Sequence, residues 1–146
     1  MIPPFDPTTG LLPPGLHEAS WEEIVDRYGG TPRRRTLLGG LRSGIDALRR
    51  AGCRRVYIDG SFITAKEEPG DFDACWENRG VEGRLLDPVL LMFANGRAAQ
   101  KAAYGGEFFI AESVADPHGT RYLAFFQQTR DGTTKGIVAL TIGEEP

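Results

Sequence analysis

Apolar positions recur along the chain in two rhythms, one helical and one alternating. Leu37, Leu41, Ile45 and Leu48 fall on a single stripe at helical spacing. Thr31-Pro32 predicts the start of that helix, with proline at its first position, and Gly52 predicts its end. Upstream, Ser20-Trp21-Glu22-Glu23 reads as a capping box in which Ser20 caps and Glu23 reaches back. It opens a short helix that stops at Gly29-Gly30. Runs of β-branched, aromatic or alternating residues predict strands at 55–59, 71–77, 107–113, 122–127 and 136–142. A single helical turn is expected between Phe62 and Glu67. A longer helix is expected from Asp87-Pro88 to Tyr104, with Asp87 as its cap and a break at Asn95-Gly96. Asp131-Gly132 signals a hairpin between the last two strands. The order α, α, β, β, α, β, β, β predicts an α/β (α+β) domain, a mixed sheet with helices packed on it.

The first 20 residues hold five of the ten prolines and cannot form a helix. Residues 1–20 are therefore expected as an extended arm lying on the domain or on a partner, and residues 21–146 as one domain. A chain of 146 residues has the length of a single domain.

Composition narrows the class. The apolar fraction of 40% and charged fraction of 25% are those of a soluble globular chain. No run approaches the roughly 18 apolar residues of a membrane span. Met1-Ile2-Pro3-Pro4 lacks the basic and apolar regions of a signal peptide. Cys53 and Cys75 are too few for a disulfide scaffold or a cysteine zinc site, and read as reduced, packed thiols. Together these predict a cytoplasmic protein with no membrane partner. The net charge of −3 hides an asymmetry: nine arginines and one acid lie between Arg27 and Arg55. Arg35, Arg42 and Arg49 repeat every seven residues along one helix flank, either a contact for a polyanion such as RNA or a solvated face. His17 and His118 have no ligand or base partner near in sequence. Trp21, Tyr28, Phe125 and Phe126 read as packing residues.

The chemistry concentrates between Asp59 and Ala74. Gly60-Ser61 stands at a strand end, nine residues follow, and Asp71-Phe72-Asp73 opens the next strand. Alternation puts Asp71 and Asp73 on one face, about 6–7 Å apart along the strand. Two carboxylates so placed repel unless a cation lies between them. Hard oxygen ligands with open positions suit Mg²⁺ or Mn²⁺ shared with substrate phosphates. Gly60 would let a phosphate approach the backbone, and Ser61 would add a hydroxyl and an N–H. Lys66 could reach triphosphate oxygens, as could Lys135. For a third acid the candidates are Glu107, Glu112, Asp87 and Asp59, with Glu107 favoured because it opens the strand after the helix.

This segment resembles the nucleotidyltransferase superfamily that includes DNA polymerase β, the CCA-adding enzymes and the small minimal nucleotidyltransferases. Their signature is a hydrophobic residue, Gly-Ser, a short loop, then Asp-hydrophobic-Asp, with a third acid on a later strand. Gly60, Ser61, Asp71 and Asp73 match it, whereas Asp59 stands where the family has a hydrophobic residue. The matching order of elements runs from Val56 to about Ile110, a little over a third of the chain. Pro13-Pro14-Gly15-Leu16-His17 and Lys135-Gly136-Ile137-Val138 also resemble a group of small bacterial proteins assigned to this fold and associated with toxin–antitoxin modules. The resemblance implies transfer of a nucleotidyl group from an NTP to a hydroxyl of RNA (tRNA) or of a protein, with Mg²⁺. It implies Asp71, Asp73 and Glu107 as catalytic metal ligands, and Gly60, Ser61 and Lys66 at the nucleotide. The alternative is an inactive member of the fold that binds a partner protein or RNA.

Overall fold

The computed structural model describes residues 1–143; the expected domain limit at 146 lies outside the described residues. Among the described residues the strands and α-helices follow in chain order as β1 (Gly15–Glu18), α1 (Trp21–Tyr28), α2 (Pro32–Arg50), β2 (Arg55–Asp59), β3 (Phe72–Trp76), α3 (Ala94–Tyr104), β4 (Gly106–Ile110), α4 (Tyr122–Phe125) and β5 (Gly136–Thr141). The strands form one mixed sheet in the order β1-β5-β2-β3-β4. β1 runs parallel to β5 and β3 parallel to β4, while β2 is antiparallel to both of its neighbours. The fold is α+β, as the pattern predicts.

Register assigns the two faces. Val56 and Ile58 stand opposite Trp76 and Ala74 on one side and Leu140 and Val138 on the other, and Ala74 stands beside Phe108. These side chains share the face that α2 covers. The fit is tight: a Cβ on Gly40 would lie 1.7 Å from the Tyr104 carbonyl, and one on Gly44 2.3 Å from the Phe108 ring. The stripe Leu37, Leu41, Ile45 and Leu48 is buried there. The opposite face carries Tyr57, Asp59, Asp73, Cys75, Glu107 and Phe109, and at the β4 end it is covered by α4, whose Tyr122 packs on Phe109.

Both early helices start where the sequence marks them. Thr31 accepts from the Arg34 N–H, with Pro32 in the first turn. Ser20 accepts from the Glu23 N–H, but the Glu23 carboxylate accepts from the Ile2 N–H at 3.2 Å instead of closing the box on its own cap. The interaction ties down the arm.

Four expectations change. The arm is not wholly outside the sheet: its residues 15–18 form the edge strand β1, and Ile2 and Leu12 are buried in the core. Residues 122–127 are not a strand but enter the short helix α4. A continuous apolar run such as Tyr-Leu-Ala-Phe-Phe carries no period to tell the two apart. The place beside β5 is taken by β1, and Tyr122 and Phe126 turn toward Phe109 and each other. The helix expected from Asp87 is divided into a 3₁₀ turn, Pro88–Leu91, and α3. Asn95, Gly96 and Arg97 are left-handed at this break, with φ of 53°, 62° and 59°. The Asp131-Gly132 turn forms, closed by the Thr129 N–H on the Thr133 carbonyl, but it joins α4 to β5.

Candidate functional site

β2 ends on Asp59, and the chain turns at Gly60 into a 3₁₀ turn, Ser61–Ile63. A loop then leads to Asp71, immediately before β3. Antiparallel pairing sets Asp59 opposite Asp73, and parallel pairing sets Asp73 beside Glu107. Three carboxylates thus form a row across β2, β3 and β4, with Asp71 next to it. The sheet register brings together Asp73 and Glu107 and adds Asp59, while Asp71 lies outside the register and acts on Asp73 through its charge.

Gly60 is required at its turn for two reasons. Its φ is +85°, in the left-handed region, and a Cβ there would lie 2.8 Å from Oδ2 of Asp73. The Asp73 carboxylate therefore rests against bare backbone. Burial, then the charges of Asp71, Glu107 and Asp59, push its pKa up to about 7, and Lys135 draws it down. Asp59 is 4% exposed. Burial raises its pKa, opposed by Lys135 and by the Gly60 N–H. Lys135 Nζ lies 2.9 Å from Asp59 Oδ1. The alignment is that of an ion pair, without the angles of a directed hydrogen bond. Glu107 faces Lys101 of α3, 3.5 Å away.

Other candidates stand elsewhere. The Lys66 side chain is exposed, and the residue is engaged through its carbonyl, which accepts from Arg34. Asp87 caps its turn and accepts from the Tyr104 hydroxyl. Glu112 accepts from the Asn78 N–H. His17 donates to the Pro13 carbonyl at 2.6 Å. Each arginine of the flank already has a partner in the chain. Arg35 donates to the Gly29 carbonyl, Arg42 lies 3.3 Å from Asp46, and Arg49 bonds both Asp46 and the Ile142 carbonyl.

A cleft of about 590 Å³ opens over the row, and Asp59, Gly60, Asp73, Phe125, Arg130 and Lys135 are among its walls. Phe125 and Phe126, alike in sequence, part company here. Phe126 is buried, but Phe125 is 45% exposed at the cleft. Arg130 carried no signal in the sequence, because only the return of the chain to β5 brings it here.

Among the described residues, no group of three His, Cys, Asp or Glu side chains is placed to hold a metal ion. A closed protein cage for Mg²⁺ is not formed. The residues fit a more open arrangement, because Mg²⁺ usually takes one or two protein carboxylates and completes its shell with water and phosphate oxygens. Asp71 and Asp73 would be the two carboxylates: burial first, and then the charges of Asp71, Glu107 and Asp59, raise the pKa of Asp73, and such an ion would balance that charge.

No helix is long and apolar enough to cross a membrane among the described residues. No curated protein and no solved structure matches the chain. One family model does, over residues 3–141, and the chain accordingly belongs to that family of unknown function, DUF6932.

Proposed function

We propose that this chain is a nucleotidyltransferase that moves an NMP from an NTP to a hydroxyl of RNA or protein. The observation that carries the reading is the row Asp59, Asp73 and Glu107, flanked by Asp71 and set behind the Gly60-Ser61 turn. When bound at Asp71 and Asp73, Mg²⁺ or Mn²⁺ would supply Lewis-acid stabilisation of phosphate charge. The chain's own residues supply the rest. Ser61 offers its hydroxyl and N–H to phosphate oxygens. Glu107 takes the proton of the acceptor hydroxyl as its oxygen bonds to the α-phosphorus. The bond from that phosphorus to the bridging oxygen breaks, and pyrophosphate leaves. Lys66 is exposed and is not among the walls of the cleft. The resemblance to proteins of toxin–antitoxin modules supports tRNA or a partner protein as the acceptor.

One observation favours the second reading, an inactive binding module of the same fold: Lys135 already neutralises one acid of the row. Incubation of the protein with each NTP, Mg²⁺ and candidate tRNA or protein acceptors, followed by mass spectrometry, separates the two. The expected result is an acceptor heavier by one NMP, lost in Asp73→Asn. No mass shift with any NTP sets the transferase reading aside in favour of the binding module.

A further inference from the structure

The far wall of the cleft is built from a segment absent from the row of acids. Residues 127–135 close into a loop through backbone bonds: Lys135 N–H to the Gln127 carbonyl at 2.8 Å, Thr129 N–H to the Thr133 carbonyl at 2.8 Å, and Gly132 N–H to the Thr129 carbonyl at 3.0 Å. Gln128 and Thr134 bridge between them. The loop's own acid, Asp131, is exposed and engaged within the loop, accepting from Thr133 N–H and the Thr129 hydroxyl. That leaves Arg130 and Lys135 as the loop's cations at the cleft. Arg130 makes no ion pair or hydrogen bond among the described residues, and Lys135 faces the acid row through Asp59. Phe125 presents an exposed ring at the same cleft.

We propose that this loop is the phosphate-binding wall of the cleft, with Lys135 and Arg130 taking oxygens of a polyphosphate and Phe125 facing the base of a nucleoside triphosphate. The proposal rests on the transferase reading for the identity of the ligand, and goes beyond it in assigning a wall with no counterpart in the Gly-Ser and Asp-x-Asp motifs. Charge dictates how such a ligand enters. Asp59, Asp73 and Asp116 line the cleft and Asp71 and Glu107 lie close enough to act on Asp73, so the acids outnumber the two cations and a polyphosphate alone is repelled. A divalent cation must come with it. Lys135 then exchanges a carboxylate for a phosphate oxygen, both within reach of one ammonium group.

The test is calorimetry with inorganic tripolyphosphate and with ATP, each with and without Mg²⁺. Wild type is expected to bind both, and only with Mg²⁺. Lys135→Met should weaken both ligands by about 10- to 100-fold, the loss expected for a hydrogen bond to a charged group. Lys135→Met leaves Asp59 buried without its cation, so Arg130→Ala provides a variant at an exposed position that does not threaten folding. It should weaken both ligands by at least about threefold. Phe125→Ala should weaken ATP by at least about fivefold while leaving tripolyphosphate unchanged. Arg84→Met, the same change of charge at a distance, should bind as wild type. Absence of Mg²⁺-dependent tripolyphosphate binding, or wild-type affinity in both Lys135→Met and Arg130→Ala, overturns the proposal. Tripolyphosphate binding in the expected pattern without NMP transfer to any acceptor leaves the wall standing and removes the transferase reading.

Discussion

Asp73 rests its carboxylate against Gly60, among three other acids, and titrates near pH 7 in the folded chain but near the ordinary 3.8 when unfolded. Between those values the folded state holds a proton that the unfolded state has released. Stability therefore falls as pH rises from about 4 to about 7, and stays at its lower level above that. Asp73→Asn removes this slope. The variant should gain roughly 4 kcal/mol over wild type at about pH 8 and nothing at about pH 4, read by thermal unfolding of the metal-free protein. Mg²⁺ should close the gap by stabilising only the wild type. A variant that keeps the wild-type pH slope would show that the charge is balanced in another way. Asp71, Asp73 and Gly60 are legible in the sequence because a strand alternates and because a Gly-Ser break separates two strands. Lys135 and Asp59 are not legible as a pair: 76 positions separate them, and no local pattern reports a contact made by β5 returning between β1 and β2.

The arginine-rich start of α2 is better explained by the loop it holds than by a polyanion. Arg34 is 6% exposed, and its guanidinium donates to the carbonyls of Phe62 at 2.5 Å, Thr64 at 2.9 Å and Lys66. Arg33 beside it donates to the carbonyls of Pro69 and Gly70. Between them the two side chains fix the path from Ser61 to Asp71, a stretch with few backbone bonds of its own. Lysine has the charge but not the planar fork. Arg34→Lys should therefore cost about 2–4 kcal/mol in urea unfolding, since several buried carbonyls lose their donor at once. Amide exchange should quicken in residues 62–70 and remain slow in β2 and β5. Uniform quickening across the sheet would mean that the arginine supports the core in general and not this loop. The element scale also shows where pattern reading works. α1, α2, β2, β3, β4 and β5 carry a period, a cap or both. β1 is four residues long with prolines just before it, and its partner lies about 120 positions later. Only the open edge of β5 gives it a reason to be a strand.

At the scale of the whole molecule, that pairing joins the beginning of the chain to its end. Gly15–Glu18 lies along Gly136–Ala139, and the buried Ile2 and Leu12 anchor the segments before it. Deleting residues 1–18 would bare the edge of β5, whose Ile137, Val138 and Ala139 are fully buried. Such an edge pairs with other chains. The shortened protein should elute as oligomers or aggregates in size-exclusion chromatography and unfold at lower temperature. A monomer of unchanged stability would return the arm to the role of an appendage. The same topology sets an order on assembly. β5 is inserted between β1 and β2, so β1 has no neighbour in the sheet until β5, about 120 residues later, is made. Until then β2 also lacks one of its partners, and Asp59 lacks its lysine. Contacts this distant in sequence close slowly. Until residues 135–141 are made, the nascent chain therefore carries a half-built sheet and an uncompensated row of acids. Residues 135–141 complete both at once, coupling the maturation of the cleft to the completion of the fold.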